Sequence, residues 1–105
     1  MTIKETAQCL AELGNETRLT LFRYLVKMGP NGIPVGDIQK ELNIPSSTLS
    51  HHISRLTNVG LILQQRDGRI LYCSPQYEKL QKLIDFLVDE CCQGQTCDVN
   101  SSTCC

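Results

Sequence analysis

Between residues 35 and 74 the chain sets out a fixed order of signals: a helical repeat, a tight turn, a second helical repeat and two extended runs. Val35, Ile38 and Leu42 recur at helical spacing in the first repeat, and Asn43-Ile44-Pro45 forms the turn. The second repeat runs from about Ser46 to Val59, with Leu49, Ile53 and Leu56 as its buried stripe. Gly60 follows at a position where glycine closes a helix at least cost. Leu61–Arg66 and Arg69–Ser74 are extended runs joined by Asp67-Gly68, a strong hairpin signal that places both turn residues at positive φ. Two helices joined by a tight turn and followed by a hairpin make a winged helix-turn-helix, mainly α with a β-hairpin wing.

Helical signals flank this unit on both sides. Ile3, Ala7, Leu10 and Ala11 repeat over residues 3–13. Asn15 is placed to cap a helix from about Glu16 to Met28, whose apolar face is Leu19, Phe22, Leu25 and Val26. Gly29-Pro30-Asn31-Gly32 breaks it, and Ile33-Pro34 forms a brief extended piece. A last helix is expected from Pro75 to about Cys92, with Tyr77, Leu80, Leu83, Ile84, Leu87 and Val88 apolar and Gly94 beyond its end. With 105 residues there is room for one compact domain, drawn here at 1–92 and followed by a flexible Cys-rich tail at 93–105. No apolar run is long enough to span a membrane, and residues 1–10 lack an apolar signal core, so a cytoplasmic protein is expected.

The net charge of −1 conceals an asymmetry. Residues 1–75 carry eight Lys and Arg against six Asp and Glu, whereas residues 76–105 carry two against five. A mildly basic part and an acidic part are what one face turned to phosphates would require. On the helix Ser46–Val59, the buried stripe leaves Ser46, Ser47, Ser50, His51, Ser54 and Arg55 on outward or flanking positions. Small hydroxyl residues near a helix N-terminus approach phosphates closely, and His51 and Arg55 are long enough to reach base edges in a major groove. Arg66 and Arg69 flank the wing turn and can contact phosphate or an adjacent minor groove. His52, beside the buried stripe, reads as a packing or orienting residue.

Leu13-Gly14-Asn15-Glu16-Thr17-Arg18-Leu19 resembles the opening of the ArsR/SmtB family of metalloregulatory repressors. Ser47-Thr48-Leu49-Ser50-His51-His52-Ile53, followed by Leu56, Gly60 and Leu61, is similar to that family's recognition helix. Gln64–Tyr72 is similar to its wing. The resemblance implies a homodimer through the first and last helices, bound to double-stranded operator DNA with an inverted repeat and released by an ion. The stripes Ile3, Leu10 and Leu80, Ile84, Leu87 agree, since a chain this short needs a partner surface to bury them.

Seven cysteines decide which ion is expected. In a reducing compartment, clustered cysteines are more often ligands or redox groups than disulfides. Many arsenic sensors of the family carry a Cys-x-Cys pair before the recognition helix, but Val35–Lys40 has none. Zinc sensors use Asp and His on the last helix, which here has Asp85 and Asp89 but no histidine. Cys91-Cys92 and Cys97 resemble the C-terminal arsenic site of one subgroup. Three soft thiolates suit As(III) or Sb(III), whereas zinc prefers four ligands. Cys104 and Cys105 are candidates for a second soft site, while Cys9 and Cys73 read as packed thiols. A repressor answering to thiol oxidation or persulfide, or to Cd(II) or Zn(II), is the alternative. No Cys-x-x-Cys, oxyanion loop or catalytic histidine outside the reading helix supports an enzyme.

Overall fold

The structure, a computed structural model, describes residues 1–89. Cys91, Cys92, Cys97, Cys104 and Cys105 therefore lie outside the described residues, as does the tail expected at 93–105. Among the described residues, five helices and three strands follow the order α1 (Ile3–Leu13), α2 (Glu16–Met28), β1 (Ile33–Pro34), α3 (Val35–Leu42), α4 (Ser46–Asn58), β2 (Ile62–Asp67), β3 (Ile70–Pro75) and α5 (Tyr77–Val88). This is the winged helix-turn-helix that the pattern implied. No helix among the described residues is long and apolar enough to cross a membrane.

Local chemistry sets the helix ends. Thr2 caps α1 by accepting from the Glu5 N–H at 3.1 Å, and Asn15 caps α2 by accepting from the Arg18 N–H at 3.0 Å. Asn43 ends α3 in the left-handed conformation, φ 52 and ψ 48, which Asn tolerates better than most residues. Its N–H and that of Ile44 both return to the Gln39 carbonyl, which turns the chain into α4.

One core joins the elements. Leu21, Phe22 and Leu25 of α2 meet Ile38 of α3, Leu49, Ile53 and Leu56 of α4, Leu61 and Ile62 at the start of the wing, and Leu83 of α5. On α2 the expected inward face is corrected at one position: Leu19 is exposed and Leu21 is fully buried. Leu21, Phe22 and Leu25 form a stripe at i, i+1, i+4, whereas Leu19 lies about 200° around the helix from Leu21. On α1 the buried side chains are Thr6 and Cys9, not the apolar series, so Ile3 and Leu10 face outward.

The wing differs from expectation in register. Asp67 pairs with Ile70 and Arg66 with Leu71, so the two-residue loop is Gly68-Arg69, not Asp67-Gly68. Gly68 has φ 63, and neither Asp67 nor Arg69 has positive φ. This is the demand of a turn with glycine at its first central position. A loop at Asp67-Gly68 would have set Arg66 opposite Arg69, and like charges directly across a ladder destabilise it. Pro75 also departs from expectation. It closes β3 opposite Ile62, and α5 begins only at Tyr77. At its other end α5 reaches Val88 and Asp89 follows with ψ 131; the rest of the expected run, to Cys92, lies outside the described residues.

The brief piece Ile33–Pro34 is a strand of the same sheet, paired antiparallel with Cys73 and Tyr72 in the order β1-β3-β2. Proline is tolerated there because β1 is an edge strand. The wing is thereby tied to the residue that opens α3.

Candidate nucleic-acid interface

α4 presents the candidate surface. Leu49, His52, Ile53 and Leu56 are buried, and Ser46, Ser47, Ser50, His51, Ser54 and Arg55 are all exposed. Thr48 is exposed among them. No Asp or Glu occurs between Ser46 and Asn58, so the helix itself opposes a polyanion nowhere. Pro45 occupies its N-cap without a side-chain hydrogen bond, and the first backbone bond runs from the Leu49 N–H to the Pro45 carbonyl. The N–H groups of Ser46, Ser47 and Thr48 thus have no intrahelical acceptor, at the positive end of the helix dipole. Arg66 and Arg69 are exposed at the tip of the hairpin.

Arg55 is exposed on the outward face, as its position implied, and it is also paired. Its Nε donates to Glu12 Oε2 at 2.7 Å and its Nη2 to Glu12 Oε1 at 3.0 Å, a two-pronged ion pair that joins α4 to α1. The pair holds the Glu12 carboxyl below its ordinary range and raises the Arg55 guanidinium. Glu12 also accepts Arg18. The Arg18 Nε donates to the Glu12 backbone carbonyl at 2.6 Å and lies 3.6 Å from the carboxylate.

Arg18 connects this pair to His52. Its Nη1 is 3.3 Å from His52 Nδ1, and since a guanidinium only donates, Nδ1 must accept and the ring proton sits on Nε2. Burial lowers the His52 pKa first, and the positive charges of Arg18, His51 and Arg55 lower it further. His52 is therefore the neutral, orienting residue that its place beside the stripe implied. The cluster Glu12, Arg18, His52 and Arg55 backs the reading helix, and sequence patterns had not shown it. One available signal was Glu12 itself, three residues after the buried Cys9 on the inward side of α1. A carboxylate there requires a cation.

The described cysteines are both buried. Cys73 sits in the central strand opposite Gln64, and burial pushes its thiol up to about 11. Burial raises the Cys9 thiol as well. Neither offers a thiolate near neutral pH, as expected of packed cysteines. Among the described residues, no three His, Cys, Asp or Glu side chains are grouped to hold a metal ion.

Comparison with known proteins agrees with this geometry. Residues 13–65 match a family model described as a helix-turn-helix domain. Over 98 residues the chain is 30% identical to the uncharacterised HTH-type transcriptional regulator YbzH of Bacillus subtilis, a match covering 82% of this chain and 98% of that one. It is 30% identical over 82 residues to a Halobacterium salinarum protein named as an arsenical resistance operon repressor, ArsR2, covering 78% and 67% of the two. Among solved structures, the homodimeric winged helix-turn-helix DNA-binding domain of Mb0332 from Mycobacterium bovis superposes with a TM-score of 0.65 at 20% identity, covering 91% and 89%.

Proposed function

The chain belongs to the ArsR family of helix-turn-helix transcriptional regulators, and from that premise we propose that it is a homodimeric repressor of an arsenic-resistance operon. It binds double-stranded operator DNA with an inverted repeat through α4 and the wing. It leaves that DNA when Cys91, Cys92 and Cys97 bind As(III) or Sb(III).

One observation carries the DNA half of this reading: α4 turns outward a face of serines, His51 and Arg55 with no carboxylate on the helix, and Arg66 and Arg69 stand on the hairpin beside it. Serine hydroxyls and first-turn N–H groups suit phosphates, which fix register, and His51 and the arginines suit base edges and grooves. The dimer is supported by apolar side chains left uncovered on the two terminal helices: Ile3 and Leu10 on α1, Ile84 and Leu87 on α5. α1 and α5 pack together, so a second copy can cover both. The choice of ion rests on thiol chemistry and on the name borne by the Halobacterium relative. Three thiolates complete the coordination of As(III), and binding displaces their protons. Cys104 and Cys105 are available to a second soft ion.

Induction requires the ion to favour the DNA-free dimer over the bound one. A coupling of about 1–3 kcal/mol loosens DNA roughly five- to 150-fold, enough for a switch. Anisotropy of a labelled duplex from upstream of the chain's own gene tests this. Serine in place of Cys91, Cys92 or Cys97 is expected to leave duplex binding intact and abolish release by arsenite. Cys104→Ser with Cys105→Ser is expected to keep it. Arsenite release from a variant lacking all three of Cys91, Cys92 and Cys97 overturns the site.

A further inference from the structure

The charged side chains behind the reading helix are not held equally. The Glu12 and Arg18 side chains are 14% and 12% exposed, against 47% for Arg55. Arg18 is fixed on both sides, by the Glu12 carbonyl and by His52 Nδ1. Arg55 is held by the fork onto Glu12, at 2.7 and 3.0 Å. A guanidinium forked onto a carboxylate offers the same donors, in the same plane, that it offers a phosphate.

We infer that Glu12 is an internal stand-in for a DNA phosphate, clamping Arg55 until a duplex displaces it. The inference rests on the DNA-binding reading above. While clamped, Arg55 is paired and contributes no net charge to the surface of α4. Displacement is easy for two reasons. An ion pair with one half-exposed partner is weak and screened by salt, whereas a duplex presents a dense array of acceptors. Moreover, Glu12 keeps Arg18 Nε at 3.6 Å when Arg55 leaves, so no carboxylate is stranded without a cation. Glu12, on α1, thus sets how much of the charge of Arg55 reaches DNA, without itself touching DNA.

The test follows binding of the full chain to a random-sequence duplex of about three helical turns, titrated over salt. Parent, Glu12→Gln, Arg55→Ala and the double variant are compared. Glu12→Gln is expected to bind more tightly with the slope of log K against log salt nearly unchanged, since Arg55 meets phosphate in both complexes. Arg55→Ala, by contrast, flattens that slope by about 0.9, one phosphate contact. Between about 50 and 200 mM salt Arg55→Ala therefore loses about 3.5-fold less affinity than the parent. In the Arg55→Ala background Glu12→Gln gives no such tightening, because no guanidinium remains to be released. Glu12→Asp draws the carboxylate back from Arg55 by one methylene and should act in the same direction, which carries the test if Glu12→Gln does not fold. Equal tightening with and without Arg55 overturns the clamp, since Glu12 would then act only as a nearby negative charge. An Arg55→Ala slope equal to the parent's, in a chain that binds, overturns it too. A parent without salt-dependent duplex binding overturns the DNA reading itself, and the clamp with it.

Discussion

His52 is the residue whose chemistry most directly links the fold to solution conditions. Its ring is buried, accepts from Arg18 and has its pKa lowered from 6.5, first by desolvation and then by neighbouring positive charge. The folded chain therefore resists a proton that the unfolded chain takes up readily. Stability is complete above pH 6.5 and is lost as pH falls through the lowered folded value, because the unfolded state binds more protons in that window. Glu12, depressed from 4.5, adds a loss of the same sign at lower pH. Denaturant midpoints should fall steadily below pH 6.5 in the parent and stay nearly level above pH 5 in His52→Gln, which keeps an acceptor for Arg18. A parent with no loss between these values refutes the role given to His52. Its burial was readable from its place beside Leu49, Ile53 and Leu56. The fork from Arg55 to Glu12 was not, because its partners lie 43 positions apart and no local period relates them.

At the scale of elements, two glycines with open space around them should respond in opposite directions to the same change. Gly68 sits in the wing loop at φ 63, and nothing lies within 4 Å of an added Cβ. Gly68→Ala meets no clash there, only the left-handed backbone, and is expected to destabilise by about 1–2 kcal/mol. Gly36, near the start of α3, also has nothing within 4 Å and no positive φ. Gly36→Ala is expected to stabilise by about 0.4–1 kcal/mol, since alanine restricts the unfolded chain and suits a helix. Both shifts are read from urea midpoints, and a stabilised Gly68→Ala contradicts the turn assigned to the wing. The existence of each long element was legible from its period and its breakers. The wing's loop was displaced by one residue because Asp-Gly is a local signal. The register is chosen by cross-strand pairs such as Arg66 with Leu71. Likewise, Pro75 marked a boundary but not which side of it. Proline ends a strand as readily as it opens a helix.

At the scale of the whole molecule, the proposed dimer rests on apolar side chains left exposed among the described residues. Ile3 is 75% exposed and Leu87 56%, on helices that pack together at one side of the fold. Burying one such side chain is worth about 1.5–3 kcal/mol, so charges at two of them cost a dimer more than about a hundredfold in dissociation constant. Ile84→Glu with Leu87→Glu should sediment as a folded monomer where the parent sediments as a dimer. A parent already monomeric at micromolar concentration removes the dimer from the proposal. Within each copy, the short ladder of Ile33 with Cys73 and Pro34 with Tyr72 joins the threshold of α3 to the central strand of the wing. The helix that leads into the reading helix is therefore linked to the wing through the sheet, while α4 runs directly into the wing through the chain. For association with DNA this means a surface ordered in advance. Little conformational entropy remains to be lost on contact, and the heat capacity of binding reflects the area covered, not the folding of a loose segment onto the duplex.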